Sequence, residues 1–261
     1  MAESNDFPDA LPKEMQAHHY PILYEVEETH WWYVGRRRLL ESFIADLCLA
    51  LNRPGLRILD VGCGTGANLK MLARYGESEG IDVSQQALDF CRLRGIAARF
   101  GAAESLPYDD GSFDLVTALD VLEHLDDDRA GLEEIRRVLR PGGRALLFVP
   151  AFMFLWGVQD EVSNHRRRYT LPELSRAVTA AGLEVERASY ANFAFFFPVL
   201  LVRSAMRLLK LHADTEYGIN VPLMNKLFGK IFAAERFVLR RGSLPFGVSV
   251  LCIARKAQAA E

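Results

Sequence analysis

The 261-residue chain has few cysteines, no excess of basic residues and no apolar run long enough to cross a bilayer, and each shortage removes a class of protein. Its 4 cysteines, Cys48, Cys63, Cys91 and Cys252, stand singly in apolar surroundings. They lack the paired spacing of a zinc site or of a small disulfide framework, so they read as reduced, mostly buried thiols. None of the 6 histidines shows metal-ligand spacing with a third ligand nearby, and no metal is expected. The opening MAESNDFPDALPKE lacks the basic start and apolar stretch of a signal peptide, which makes the cytoplasm the expected compartment. A net charge of −3 argues against general nucleic-acid binding.

What is present is the balance of a globular protein, with 50% hydrophobic and 25% charged residues. The charge is unevenly placed. Residues 1–30 carry a net −6, while residues 191–243 carry a net +5.

From Leu56 onward, short apolar runs alternate with helical patterns, the rhythm of a parallel sheet covered on both faces. Strands are expected at Leu56 to Val61, ending at Ile81 to Val83, and at Ala97 to Phe100, Phe113 to Leu119, Arg144 to Val149, Leu183 to Ser189 and Val248 to Ala254. Helices are expected at Ala67 to Arg74, Ser84 to Leu93, Arg129 to Leu139 and Leu171 to Ala181, with Ser84 as a cap. Leu39, Leu40, Phe43, Ile44 and Leu47 recur at helical spacing before the first strand. Ahead of them lies an irregular, aromatic-rich cap ending in HWWYVGRRR at His30 to Arg38. Residues 191–242 are too many for a structureless loop and read as a helical insertion before the last strand.

The sequence ILDVGCGTG sets Gly62, Gly64 and Gly66 directly after an apolar strand and before a helix. Glycines there let the backbone turn sharply and approach a ligand without a Cβ in the way. The spacing alone also satisfies a dinucleotide pattern, because Gly62, Gly64 and Ala67 fit G-x-G-x-x-A and Asp82 follows 20 residues after Gly62. Asp60 separates the readings: a carboxylate beside the loop repels a pyrophosphate by about 1–4 kcal/mol across plausible surface dielectrics, but welcomes an ammonium or sulfonium. Asp82 suits the ribose of either cofactor.

Together with GIDVS, GAAESLPYDDGSFDLVTALDVLEHL and LEEIRRVLRPGG, in that order and at that spacing, the loop resembles the class I S-adenosylmethionine (AdoMet)-dependent methyltransferases, in particular the group that includes ubiquinone-biosynthesis-like enzymes. The resemblance covers Leu56 to Pro150. It implies an α/β, Rossmann-like, seven-stranded, mostly parallel sheet with helices on both faces, and AdoMet as cofactor with S-adenosylhomocysteine (AdoHcy) as product. The patterning along the chain divides it into a cap at 1–34, the core at 35–190, the insertion at 191–242, and the last strand with its tail at 243–261. The resemblance further implies that Asp60 and Gly62, Cys63, Gly64 and Gly66 hold the methionine end. Asp82 with Val83 then serves the ribose, Ala103 and Glu104 flank the adenine, and Asp120 and Val121 face the cofactor. One departure stands at Ala102, where many members carry an aspartate beside the adenine.

Methyl transfer from a sulfonium needs alignment, and a base only where the acceptor must lose a proton. His124, just after the fourth strand, is the candidate base; a packing or capping histidine is the other reading. Trp156, Asp160, His165, Arg168 and Tyr169 are candidates for a polar substrate lining, and Tyr24, His30, Trp31 and Trp32 for a lid over it. Core packing competes with the lid reading. The triple arginines Arg36 to Arg38 and Arg166 to Arg168 are either solvated or ion-paired, or they bind a phosphate or carboxylate.

The acceptor reads as an oxygen nucleophile of a small or lipid-linked metabolite. A non-catalytic AdoMet-binding module and a nicotinamide-dependent oxidoreductase are the alternatives. Phe193 to Val202 is nearly continuously apolar and is followed by Arg203 and Arg207. It reads as a substrate-covering subdomain, a tunnel, or, through 193–241, a peripheral contact with the inner face of the membrane.

Overall fold

In the computed structural model, residues 15–209 and 221–258 are described. Lys210, Asp214, Glu216 and the acids before residue 15, which count toward those two net charges, lie outside them. Seven strands form one sheet: β1 (Arg57–Val61), β2 (Glu77–Asp82), β3 (Ala98–Phe100), β4 (Phe113–Leu119), β5 (Leu139–Pro150), β6 (Glu184–Ala191) and β7 (Ser249–Arg255). Their order is β3-β2-β1-β4-β5-β7-β6. β7 alone is antiparallel to its neighbours β5 and β6; the other pairings are parallel. The fold is a Rossmann-like, mostly parallel α/β sheet, as the motif order implied.

Every residue of β4 is buried, as a central strand covered on both faces requires. Successive side chains serve opposite layers. Leu59, Val116 and Leu147 join Leu132, Ile135 and Val138 of α5 (Asp128–Val138) and Leu174 and Val178 of α7 (Leu171–Ala180). Ile58, Leu115, Leu146 and Phe148 face the other way. They pack with α2 (Trp31–Leu51), α3 (Ala67–Leu72) and Cys91 of α4 (Gln85–Leu93). Ser84 caps α4, accepting from the Ala87 N–H at 3.4 Å. Cys63, Cys91 and Cys252 are buried and Cys48 partly so, none in a disulfide.

The cap departs from the irregular expectation. Residues 19–26 form α1 (His19–Val26), and WWYVGRRR is the start of the 21-residue α2, so the boundary expected at 34/35 falls inside a helix. His30, in extended conformation, caps α2 by accepting from the Trp32 N–H. Gly35 marks a close helix crossing. A Cβ there would lie 2.9 Å from the Phe232 Cβ and 3.1 Å from the Gly229 carbonyl oxygen.

Phe232 and Gly229 belong to α9 (Pro222–Ala234), one of the insertion helices with α8 (Phe196–Leu208) and the short α10 (Arg236–Leu239). The insertion therefore packs directly on the N-terminal helix α2. Trp31 joins them by stacking near Phe195, with ring centroids 4.4 Å apart, and its N–H is held by Asn225 Oδ1 at 3.3 Å.

Candidate active site

The chain leaves β1 for β2 on one side and returns to place β4 on the other, so the carboxyl ends of β1 and β4 form the switch point of the sheet. Open α/β sheets bind ligands there. A cavity of about 310 Å³ occupies that edge, within the range of small-molecule sites.

At one end Gly62, Gly64 and Gly66 have φ of +64, +54 and +89°. A Cβ on Gly62 would come within 2.5 Å of Val121, while one on Gly64 would meet nothing within 4 Å, because that residue opens onto the cavity. Asp82, at the end of β2, accepts from the N–H of Gly64 at 2.8 Å and of Ser84 at 2.9 Å, fixing the loop and the start of α4 together. Of the residues foreseen for the cofactor, Gly62, Cys63, Gly64, Asp82, Val83, Ala103, Glu104, Asp120 and Val121 line the cavity.

Gly66 and Asp60 do not. Gly66 lies behind the loop as the cap of α3. Asp60 is buried and turned toward β4, where its Oδ1 accepts from Thr117 Oγ1 at 2.5 Å and its Oδ2 has no hydrogen-bond partner. Burial foremost, with Asp82 nearby, pushes its carboxyl up to about 7 against the pull of Thr117 and Arg36. The acidic residues that line the cavity are Asp82, Glu104, Asp120 and Glu27, so the repulsion argued for Asp60 applies to them.

The cap closes this end. Glu27, at the end of α1, accepts from the Thr65 hydroxyl in the glycine loop and pairs with Arg94. Arg36 of α2 reaches across to pair with Asp120, with its guanidinium carbon 4.6 Å from the Trp32 ring centroid. The first arginine triplet thus divides: Arg36 is a buried wall residue, Arg37 pairs with Glu28 and Arg38 is exposed.

At the far end His124 and His165 stand edge to face, 4.6 Å between ring centroids. Burial, together with His165 and Arg166, lowers the His124 pKa well below the usual histidine value, so its ring is neutral at physiological pH. Asp160 meets His165 Nδ1 at 2.8 Å and is held by Arg168 through two bonds of 2.8 and 2.9 Å. Burial alone would raise the Asp160 carboxyl, but the hydrogen bond to His165 and the Arg168 charge hold it well below the ordinary carboxylate range. The ionised carboxylate takes the Nδ1–H of His165, while Nε2 stands 3.9 Å from Glu123 Oε1.

His30, Trp31, Trp32, His165 and Arg168 line the cavity, as does His124. Four residues proposed for the substrate lie off its wall, each with a packing reason. Tyr24 stacks on Phe90 under Arg94, and the Trp156 carbonyl receives Arg207. Asp160 supports His165 from behind, and the Tyr169 hydroxyl is spent on Asp128 and the Leu122 carbonyl.

Periodicity gave no signal for four other polar groups. Glu27 and Gln159 line the cavity. Glu123, fully buried with neither carboxylate oxygen hydrogen-bonded, is pushed up to about 8 by burial. Asn192 lies on the wall just past β6. The positive φ of Asn192, +59°, is a backbone property that sequence alone does not display, although asparagine after a strand is the residue type that tolerates it.

Residues 59–147 match the family model described as "Methyltransferase domain". A protein named "Probable S-adenosylmethionine-dependent methyltransferase" from Mycolicibacterium smegmatis (strain ATCC 700084 / mc(2)155) is 30% identical over 187 residues, which cover 70% of this chain and 69% of the relative. "Ubiquinone biosynthesis O-methyltransferase" from Aeromonas salmonicida (strain A449) is 30% identical over 54% of this chain and 68% of its own length. Among solved structures, the [4+2]-cyclase SpnF superposes with a TM-score of 0.54 at 27% identity, covering 85% of this chain and 82% of that one. The chain spans between 64% and 69% of the length of the first curated relatives it matches. With the glycine loop, the acid at the end of β2 and the enclosed switch-point cavity in place, the match over two thirds of a named relative makes the chain a member of the S-adenosylmethionine-dependent methyltransferases.

Proposed function

We propose that the chain transfers the methyl group of AdoMet to an oxygen of a small or lipid-linked metabolite. The observation that carries this reading is a single cavity running from the glycine loop, past His124 and His165, to Val199 and Arg203 on α8. Donor and acceptor would share one enclosure, which is what alignment requires.

The residues present fit AdoMet, which supplies an electrophilic methyl on a positively charged sulfur. Gly64 lets the backbone approach without a side chain, and Asp82 offers an acceptor for ribose hydroxyls. Ala103 and Glu104 would bound the adenine. The Arg36–Asp120 pair brings a cation for the methionine carboxylate and an anion for its ammonium. Removal of a proton from an acceptor hydroxyl falls to His165, whose Nδ1 is taken up by Asp160, with neutral His124 beside it. The named O-methyltransferase among the relatives supports oxygen as the nucleophile.

A lipid-linked acceptor is supported by the insertion, whose outer face is apolar: Phe197, Leu201, Leu208, Leu209, Leu223 and Leu227 are all more than half exposed. Lys226, Lys230 and Arg241 are exposed beside them. Among the described residues no helix is long and apolar enough to cross a membrane, so the contact proposed is with the surface of an anionic bilayer. The likeness to a protein named a cyclase favours, as second reading, AdoMet binding without methyl transfer. Incubation with methyl-tritiated AdoMet and a fractionated lipid extract separates the two. Label in an organic product supports transfer, and AdoHcy binding by calorimetry without any labelled product supports the second.

A further inference from the structure

We infer that the acceptor carries a hydroxyl-rich head, a polyol or glycosyl group, read by Asn192 and Gln159 beside His124. This rests on the transfer reading above. Asn192 is wholly buried, yet neither its Oδ1 nor its Nδ2 has a hydrogen-bond partner. Its backbone is held firmly while its side chain is not. Glu235, from the end of α9, accepts from the N–H of Asn192 at 2.7 Å and of Ala194 at 3.1 Å, and the Asn192 carbonyl receives the Val248 N–H. This locks Asn192, one of the residues that line the cavity, at a φ of +59°.

The sheet register places Asn192 at the β5–β7–β6 end of the sheet edge, away from the glycine loop. Ala191 pairs with Ser249, and Ser249 with Pro150, so Asn192 stands one residue beyond the row that ends β5, β7 and β6. The cofactor half lies at β1, β2 and β4. Gln159, which lines the same cavity, donates to Ser163 Oγ at 2.8 Å, while its Oε1 is buried without a partner. His124, whose ring bonds to the Ser163 backbone, has Nδ1 likewise without one.

Buried polar groups are almost always paired, and an orphaned one costs free energy until a ligand completes it. Of these three residues, the unmet groups are three acceptors, Asn192 Oδ1, Gln159 Oε1 and His124 Nδ1, against one amide donor, Asn192 Nδ2. Their complement is a molecule presenting several O–H donors and at least one oxygen acceptor. A carboxylate or a ketone, which can only accept, leaves most of them unpaired. Adjacent hydroxyls meet them all, and the one at His124 and His165 is placed to lose its proton.

The test uses the full-length protein saturated with AdoHcy, and Asn192→Gly, which removes the carboxamide while suiting the left-handed backbone. The probes are octyl glucoside below its micellar concentration and octanoic acid, equal in chain length and different in head. The wild type is expected to bind the glucoside at least tenfold more tightly than the acid, and the variant to lose that preference while AdoHcy affinity is unchanged. The variant is also expected to melt at a higher temperature without ligand, since a buried unpaired amide is gone; a merely structural asparagine would lower it. Equal binding of the two probes by the wild type, a preference retained in the variant, or a lowered melting temperature overturns the inference. Failure of AdoHcy to bind the wild type overturns instead the cofactor reading beneath it.

Discussion

Arg36 of α2 and Asp120, one residue past the end of β4, form an ion pair across the cofactor end of the cavity. Asp120 holds a φ of +60°, and Arg36 packs against Trp32, so the pair ties the N-terminal helix to the sheet edge. Breaking a largely buried pair by removing one partner costs about 3–5 kcal/mol where desolvation is complete, and less here because the Asp120 side chain is 23% exposed. Arg36→Ala should lower stability by about 2–3 kcal/mol and weaken AdoHcy binding at least tenfold. Denaturant melts and calorimetry check this, and unchanged AdoHcy affinity removes Arg36 from the cofactor site.

The two loop acids should behave differently. Asp82 holds the N–H groups of Gly64 and Ser84, so Asp82→Ala should abolish measurable AdoHcy binding. Asp60 sits off the wall with a carboxyl near 7. Asp60→Asn, which copies the protonated form, should therefore bind AdoHcy almost as wild type does at pH 6 and diverge only at pH 8. Equal loss in both variants at both pH values would return Asp60 to the wall.

Turnover tests the histidines. Asp160→Asn removes the anion that fixes the His165 tautomer, and a general base contributes about 10²–10⁴-fold. His165→Ala should lower kcat by about that factor and Asp160→Asn by somewhat less, with AdoHcy affinity intact in both. Full activity in His165→Ala leaves His124 as the base.

Glu123 predicts a pH dependence of stability. Its folded-state pKa is raised from 4.5 to about 8, so the stability conferred by its bound proton is complete below 4.5 and is lost as pH rises through about 8. Asp60 adds a slope of the same sign, ending near 7. The melting temperature should fall from pH 5 to 8, and Glu123→Gln should flatten the part of that fall above pH 7. An identical pH profile for the variant contradicts a buried neutral Glu123.

Membrane contact is tested by cosedimentation with vesicles containing phosphatidylglycerol. Wild type should bind at low salt and release at high salt. Leu201→Glu combined with Leu227→Glu should abolish binding without loss of AdoHcy affinity. Wild-type protein that stays in the supernatant at low salt assigns the apolar face to something other than lipid.

The core was legible because its signals are local. β4 and the loop from Gly62 to Gly66 are contiguous stretches whose apolar runs and glycines each have one structural use. The insertion was legible by length alone, but its partner was not. The packing of Gly35 on Gly229 joins residues 194 apart, and nothing near either glycine announces the other. Asp60 was misplaced for a related reason. A strand's alternation tells that a side chain leaves the sheet plane, but whether it meets ligand or Thr117 depends on the neighbouring strand. His165 and Asp160 were found as a cluster, but their division into a wall residue and its support required the distances.

The most direct test of the account is a crystal structure of the full-length protein with AdoHcy. The sulfur is predicted to face an open volume bounded by His124, His165 and Asn192, with Asp82 at the ribose. AdoHcy seated with its sulfur turned away from that volume, or the volume closed by side chains, would contradict it.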